Sequence, residues 1–262
     1  MCLKTGLMRQ RSIYDNMFDQ KILCDFYRGS IAHNLHIGGG EKFPTDDTDT
    51  MVVYVYPKQY YLTLESFHHV KEVFEEKHDD IDVVGYEIKK MFHLLSQMNP
   101  NVLPALYTRE QDFTTLSPEW KLIREKRDIF INKTRIRDVF LGYAKAQYRR
   151  MIDKKSWFGY MGAKRKELYE KLGYDAKYAS HSIRLLRMGG EFLRDGAPVV
   201  YREADRDELI AIKQGEWTLE NIQKLYAQEM LNVEQAYGQS KLQDKATKHK
   251  VNKLLFEVME SL

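Results

Sequence analysis

Two stretches, Lys21-Ile22-Leu23-Cys24-Asp25-Phe26-Tyr27-Arg28-Gly29-Ser30 and Asp46-Asp47-Thr48-Asp49-Thr50-Met51-Val52-Val53-Tyr54-Val55-Tyr56-Pro57, decide how the rest of the chain is read. The first is a short apolar run closed by Gly-Ser, which reads as a buried strand with a helix starting at Ser30. In the second, Thr48 to Tyr56 is rich in valine, threonine and tyrosine and predicts the next strand, ending at Pro57. Side chains alternate faces along a strand, so Asp47 and Asp49 are forced onto one side. Two carboxylates ~4 Å apart repel by about 1 kcal/mol in water and about 4 kcal/mol at an effective dielectric of 20, so the pair needs a cation or a proton. Hard oxygen ligands with open positions suit Mg²⁺, with Mn²⁺ as the alternative. Gly29-Ser30, leaving a strand, offers free backbone N–H groups and a hydroxyl to triphosphate oxygens. Taken alone, an Asp-x-Asp reads first as an acidic turn before a strand, and a Gly-Ser turn is weak evidence.

Outward from these stretches, Thr63 to Lys77 predicts a helix with Leu64, Phe67, Val70 and Phe74 on one side. Asp80 to Gly85 alternates like a third strand, and Glu87 to Met98 carries Ile88, Met91, Phe92 and Leu95 at helical spacing before Asn99-Pro100. Beyond about residue 105 helical periods take over, as in Leu219, Ile222, Tyr226, Met230 and Val233, then Val251, Leu254, Leu255 and Val258. The expected fold is therefore α+β. A small mixed sheet with flanking helices occupies residues 1–107, and a mostly helical domain occupies 108–262.

With 43% hydrophobic residues in 262, the chain has material for a packed core, so disorder is not expected. Forty-one basic against 38 acidic residues permit a nucleic-acid partner without demanding one. Local bias says more: Lys145 to Lys171 carries nine lysines and arginines among Tyr148, Trp157, Phe158 and Tyr160, which suits either a phosphate track with stacked bases or an ordinary core with a charged face. Cys2 and Cys24 have no metal-ligand spacing, and no signal-like or membrane-spanning apolar run is present, so a cytoplasmic setting away from membranes is expected.

In order and in its apolar flanks, Gly29-Ser30-Ile31-Ala32 followed by Asp47-Thr48-Asp49, at a somewhat long spacing of sixteen residues, resembles the polymerase β nucleotidyltransferase superfamily, in particular the minimal nucleotidyltransferases of RNA repair operons and large phages. Two further blocks carry the likeness. Asp82-Val83-Val84-Gly85-Tyr86-Glu87-Ile88-Lys89-Lys90 runs toward Asn99-Pro100, and Lys177-Tyr178-Ala179-Ser180-His181-Ser182-Ile183-Arg184-Leu185 looks like that family's His-x-x-Arg-Leu block. The chain departs from the pattern at Met51-Val52, where a basic residue and a glycine are common, and at Asn34, where glycine is more usual.

The resemblance implies metal-dependent transfer of a nucleoside monophosphate from a nucleoside triphosphate to an acceptor hydroxyl, with release of pyrophosphate. Asp47, Asp49 and Asp82 would be catalytic and hold the metal, Asp80 being the alternative to Asp82. Gly29, Ser30, Lys90, Lys177, His181 and Arg184 would bind the nucleotide. Lys90 is also readable as a surface lysine. Lys177, His181 and Arg184 share a helix face, which could equally be a solvated stripe. His33 and His36 read as loop or helix-surface residues. RNA, including tRNA, heads the possible acceptors, with DNA, protein and small molecules open. A non-catalytic nucleic-acid-binding module on the same fold is the competing reading. A P-loop at Gly38-Gly39-Gly40-Glu41-Lys42 fails because Phe43 follows where Ser or Thr is needed.

Overall fold

The computed structural model describes residues 20–38, 46–62, 71–78, 81–153, 162–245 and 247–262. Strand β1 (Lys21–Tyr27) leads through Arg28 into a single turn of helix, α1 (Gly29–Ala32), and β2 spans Thr48–Val55. A short helix, α2 (Gln59–Leu62), precedes β3 (Val73–His78) and β4 (Ile81–Glu87), and β4 runs directly into α3 (Ile88–Ser96). The strands form a mixed sheet in the order β3-β4-β2-β1-β5, where β5 is Phe113–Leu116. β2 and β4 are parallel and the other neighbours antiparallel. The rest is helical: α4 (Pro118–Glu125), α5 (Lys133–Ile152), α6 (Ala163–Leu172), α7 (Ala176–Asp195), α8 (Arg206–Lys213), α9 (Leu219–Gln239) and α10 (Lys248–Glu260). Among the described residues no helix is long and apolar enough to cross a membrane.

Alternation along β2 sorts the molecule. Met51, Val53 and Val55 face one way, joining Val84 of β4 and Ile88, Met91, Phe92 and Leu95 of α3 in a core that continues into α5, α7, α9 and α10. Each such side chain, removed from water, contributes roughly 1.5–3 kcal/mol. Glu87 ends β4 and caps α3, its carboxylate accepting from the backbone N–H groups of Lys89 at 2.8 Å and Lys90 at 3.2 Å. On the far side, Val52 and Val83 form a smaller cluster with Ile22, Phe74 and Ile81.

Two expectations are corrected here. The helix expected over Thr63 to Lys77 is a strand from Val73 onward, paired antiparallel with β4; residues 63–70 lie outside the described residues. Its Phe74 ring lies over bare backbone at Gly85, where an added Cβ would sit 1.8 Å from a ring carbon. As an edge strand it exposes nearly every side chain, so Glu75, Glu76 and Lys77 carry charge without the alternation that marks a half-buried strand, and this imitates a charged helix face. The second is β5, a four-residue strand past residue 105 that pairs with β1. It is too short for its period to be legible.

Candidate active site

The parallel register of β2 and β4 sets Thr48 beside Ile81 and Asp49 beside Asp82. Asp49 and Asp82 thus share the core-facing side of the sheet with Met51 and Val84, but at its end, where apolar packing stops. Gly29 makes room for Asp49. Its φ of +61° is the left-handed region, and a Cβ there would lie 2.2 Å from Asp49 Oδ2. Arg28, one residue earlier, lies with a guanidinium nitrogen 3.3 Å from Asp49 Oδ1 and donates through Nε to the Thr50 carbonyl at 3.2 Å.

These groups open onto a cavity of about 260 Å³ whose other wall is helical. Gly29, Ser30, Asp47 and Asp49 line it from the sheet side, and Lys177, His181 and Arg184 line it from α7. Phe26, Pro100, Pro104 and Leu185 supply apolar surface. Helix α7 starts at Asp175, a buried cap that accepts from Tyr178 N–H at 3.0 Å and pairs with Arg165, so the register of its basic stripe is fixed from the first turn.

Of the residues expected to act, Asp82 and Lys90 are not among those lining the cavity. Asp82 is next to Asp49 on the sheet but leans on Lys77, 3.2 Å from its Oδ1. Lys90 is turned to Glu72, at 3.1 Å. Ser30 Oγ lies 3.3 Å from His36 Nδ1. In the basic stretch, Tyr148 stacks on Tyr226 with ring centroids 4.1 Å apart and serves packing, while Trp157, Phe158 and Tyr160 lie outside the described residues, as do Gly39 to Thr45 and Asp80.

Sequence reasoning missed the roles of Arg28, Asp46 and Lys213 at the site, since their partners lie elsewhere along the chain. His33, expected at the surface, is instead buried at 5% exposure with Nδ1 2.8 Å from the Val200 carbonyl. Asp46 accepts from the Ile37 N–H at 2.9 Å and binds Lys213, whose ammonium also donates to the Leu35 carbonyl at 2.8 Å. Lys177 is 3.7 Å from the other oxygen of Asp46. Burial works against the Asp46 charge, but the Lys213 hydrogen bond and charge win and hold its carboxyl below the ordinary range. Asn34 has φ of +58°, which asparagine tolerates and which explains why glycine is usual at that place. Its amide donates to the Arg202 carbonyl at 2.9 Å, and its own carbonyl accepts from Arg206 at 3.1 Å.

The electrostatics divide by wall. Burial lifts the Asp49 carboxyl above its ordinary range; Arg28 and Lys177 oppose this, and the charges of Asp82 and Asp47 add to it. Burial, then the neighbouring Arg184 and Lys177 charges, push the His181 imidazole far down, so it is neutral at physiological pH. Arg184 itself is pushed down to about 9 by burial and by Arg202, which still leaves it cationic near neutrality. Among the described residues no three acidic, histidine or cysteine side chains close around one point as a ready-made cation cage. The donor set nevertheless fits a hard divalent ion: all three groups are carboxylates, and Asp49 is short of positive charge even with Arg28 beside it. An open set of this kind suits a cation that keeps waters and takes its remaining ligands from phosphates.

A strand, a Gly-Ser turn and an aspartate pair thus face a basic helix across one cavity. The chain belongs to the RNA repair pathway DNA polymerase beta family, whose family model matches residues 19–257. No curated protein matches the chain significantly. Among solved structures, it is similar at 12% identity and a TM-score of 0.28 to a nucleotidyltransferase-like protein from Exiguobacterium sibiricum 255-15, over 97% of this chain and 80% of that one.

Proposed function

We propose that this chain transfers a nucleoside monophosphate from a nucleoside triphosphate to an acceptor hydroxyl, releasing pyrophosphate, and that the acceptor is RNA, tRNA included. The observation that supports the reading is that Asp47, Asp49, Gly29 and Ser30 line the same cavity as Lys177, His181 and Arg184. Carboxylates on one wall and cations on the other are what a metal-bound triphosphate requires. Asp47, Asp49 and Asp82 would hold Mg²⁺, or Mn²⁺, which when bound neutralises phosphate charge and makes the acceptor hydroxyl more acidic. Asp82 accepts the proton that this hydroxyl loses. Ser30 and the backbone at Gly29 orient the terminal phosphates, and Lys177 and Arg184 neutralise them. His181, being uncharged, serves as a hydrogen-bond partner on the same wall. Lys90 reaches a phosphate only by leaving Glu72. Positioning and fixed charge supply most of the rate in such a reaction. The division expected from the sequence, a catalytic domain over residues 1–107 and an acceptor-binding domain over 108–262, we move past β5, because that strand pairs with β1 in the catalytic sheet.

The test is pyrophosphate release from ATP, CTP, GTP and UTP, with and without Mg²⁺ or Mn²⁺, in the presence of total tRNA, DNA or protein. Metal-dependent release and label in the RNA fraction are expected. Label in DNA or protein would redirect the acceptor assignment. Absence of release with every triphosphate, together with retained RNA binding, would leave a non-catalytic binding module.

A further inference from the structure

His33 is a buried titratable group that the transfer reading does not use. It follows α1, and its Nδ1 lies 2.8 Å from the Val200 carbonyl. A carbonyl can only accept, so the proton sits on Nδ1, and a neutral ring then leaves a lone pair on Nε2. Burial, reinforced by the adjacent Arg184 charge, keeps the ring neutral. Against that lone pair lies the Arg184 Nη1 group, which also approaches Met188 Sδ at 3.3 Å. Among the described residues no carboxylate is within ion-pair distance of Arg184. A half-buried guanidinium lining a cavity, with most of its five N–H donors unspent, suits an anion, and its direction is set by the His33 imidazole with Met188 Sδ beside it.

We propose that His33 is a positioning residue for Arg184: its Nε2 accepts one guanidinium N–H and thereby aims the remaining donors at a phosphate of the bound triphosphate. This rests on reading the cavity as a triphosphate site. The chain of contacts runs from Val200 through the imidazole to Arg184, so the aim of the guanidinium is referred to the segment between α7 and α8 instead of to its own flexible stem.

Two substitutions separate this role from a merely structural one. Glutamine at position 33 can bring an acceptor oxygen to where Nε2 stands, whereas asparagine keeps a donor for the Val200 carbonyl but stops short of Arg184. Steady-state kinetics over triphosphate concentration on His33→Gln, His33→Asn and Arg184→Ala, with melting midpoints to confirm folding, provide the comparison. A hydrogen bond to a charged group sets the scale, so His33→Asn is expected to raise the triphosphate KM ~10-fold or more with kcat within ~2-fold, and His33→Gln to stay near the wild-type KM. In the double variant His33→Asn with Arg184→Ala, the first change should add little to the second. Equal KM values for the two His33 variants, the reverse order, or additive losses in the double variant would overturn the proposal. An unchanged KM in Arg184→Ala would instead overturn the triphosphate reading beneath it. On the unmodified protein, nitrogen-15 NMR should find His33 Nε2 unprotonated near neutral pH, and a protonated Nε2 would overturn the assignment whether or not the variants fold.

Discussion

Gly29 and Asp49 fit each other atom to atom: the left-handed φ of +61° and the 2.2 Å separating an added Cβ from Asp49 Oδ2 each exclude a side chain at position 29. Gly29→Ala is therefore expected to lower stability by about 1–2 kcal/mol from the backbone alone and to displace Asp49 besides, which chemical denaturation and activity together would read. Asp49→Asn should behave oppositely. Because burial and two like charges outweigh Arg28 there, removing the charge should leave the metal-free protein equally or more stable, while Asp47→Asn and Asp49→Asn each abolish transfer. Turnover within a few-fold of wild type in both variants would end the metal assignment. For the third carboxylate, Asp82→Ala should lose turnover and keep triphosphate binding, with Asp80→Ala remaining active; the reverse result would exchange them. The nearness of Asp47 and Asp49 was to be expected from a strand's two-residue period, although Asp47 precedes the first residue of β2, and Asp82 was suggested by the family pattern and not by spacing. Arg28, Asp46 and Lys213 were not legible, because their roles come from partners far along the chain, Lys213 reaching Asp46 across 167 residues.

At the scale of elements, β2 and α3 follow from local pattern, since both bury one face against the core and show the matching period. The edge strand β3 buries little and shows none. Helix α7 lies between these cases: the spacing of Lys177, His181 and Arg184 puts them on one face, but that the face turns to a cavity depends on what packs opposite. Its far side enters an ion network that joins α7, α8 and α9. Arg187 meets Asp205 at 2.9 Å, Glu208 at 2.6 Å and Glu229 at 2.9 Å, and Arg202 bridges Glu191 and Asp205. Burial alone would raise the Asp205 carboxyl, but hydrogen bonds from Arg202 and Arg187 overcome it and hold the group below its ordinary range. A depressed carboxyl stabilises the fold fully above its unfolded value and loses that contribution as pH falls through the folded value. Asp205→Asn should accordingly cost about 1.5–3 kcal/mol near neutral pH, and the gap from wild type should close as the solution is acidified through the carboxylate range. A gap independent of pH would assign the loss to packing instead of charge.

For the whole molecule, the partner surface is the part that the sequence left open, because base and acceptor selection depend on loops and on how the helical half meets the sheet. Arg149 and Arg150 of α5 and Lys164 and Lys171 of α6 are exposed, as is Lys177 at the cavity. If RNA follows this track, log affinity should fall linearly with log salt, and replacing Arg149 and Arg150 together should flatten the slope by about one to two units. A slope unchanged by that double replacement would remove the track from the interface. The turn at His33 to Leu35 bears on a different matter. It is fastened to the helical wall by Val200, Arg202, Arg206 and Lys213, with Arg184 beside it, so floor and wall of the cavity are one piece. Such a cavity is a socket, not a jaw: those bonds should let a ligand settle without the sheet and the helices swinging apart. Small-angle scattering should then give the same radius of gyration with and without a non-hydrolysable triphosphate and Mg²⁺, and a radius that shrinks on binding would show the sheet and the helices closing on the ligand after all.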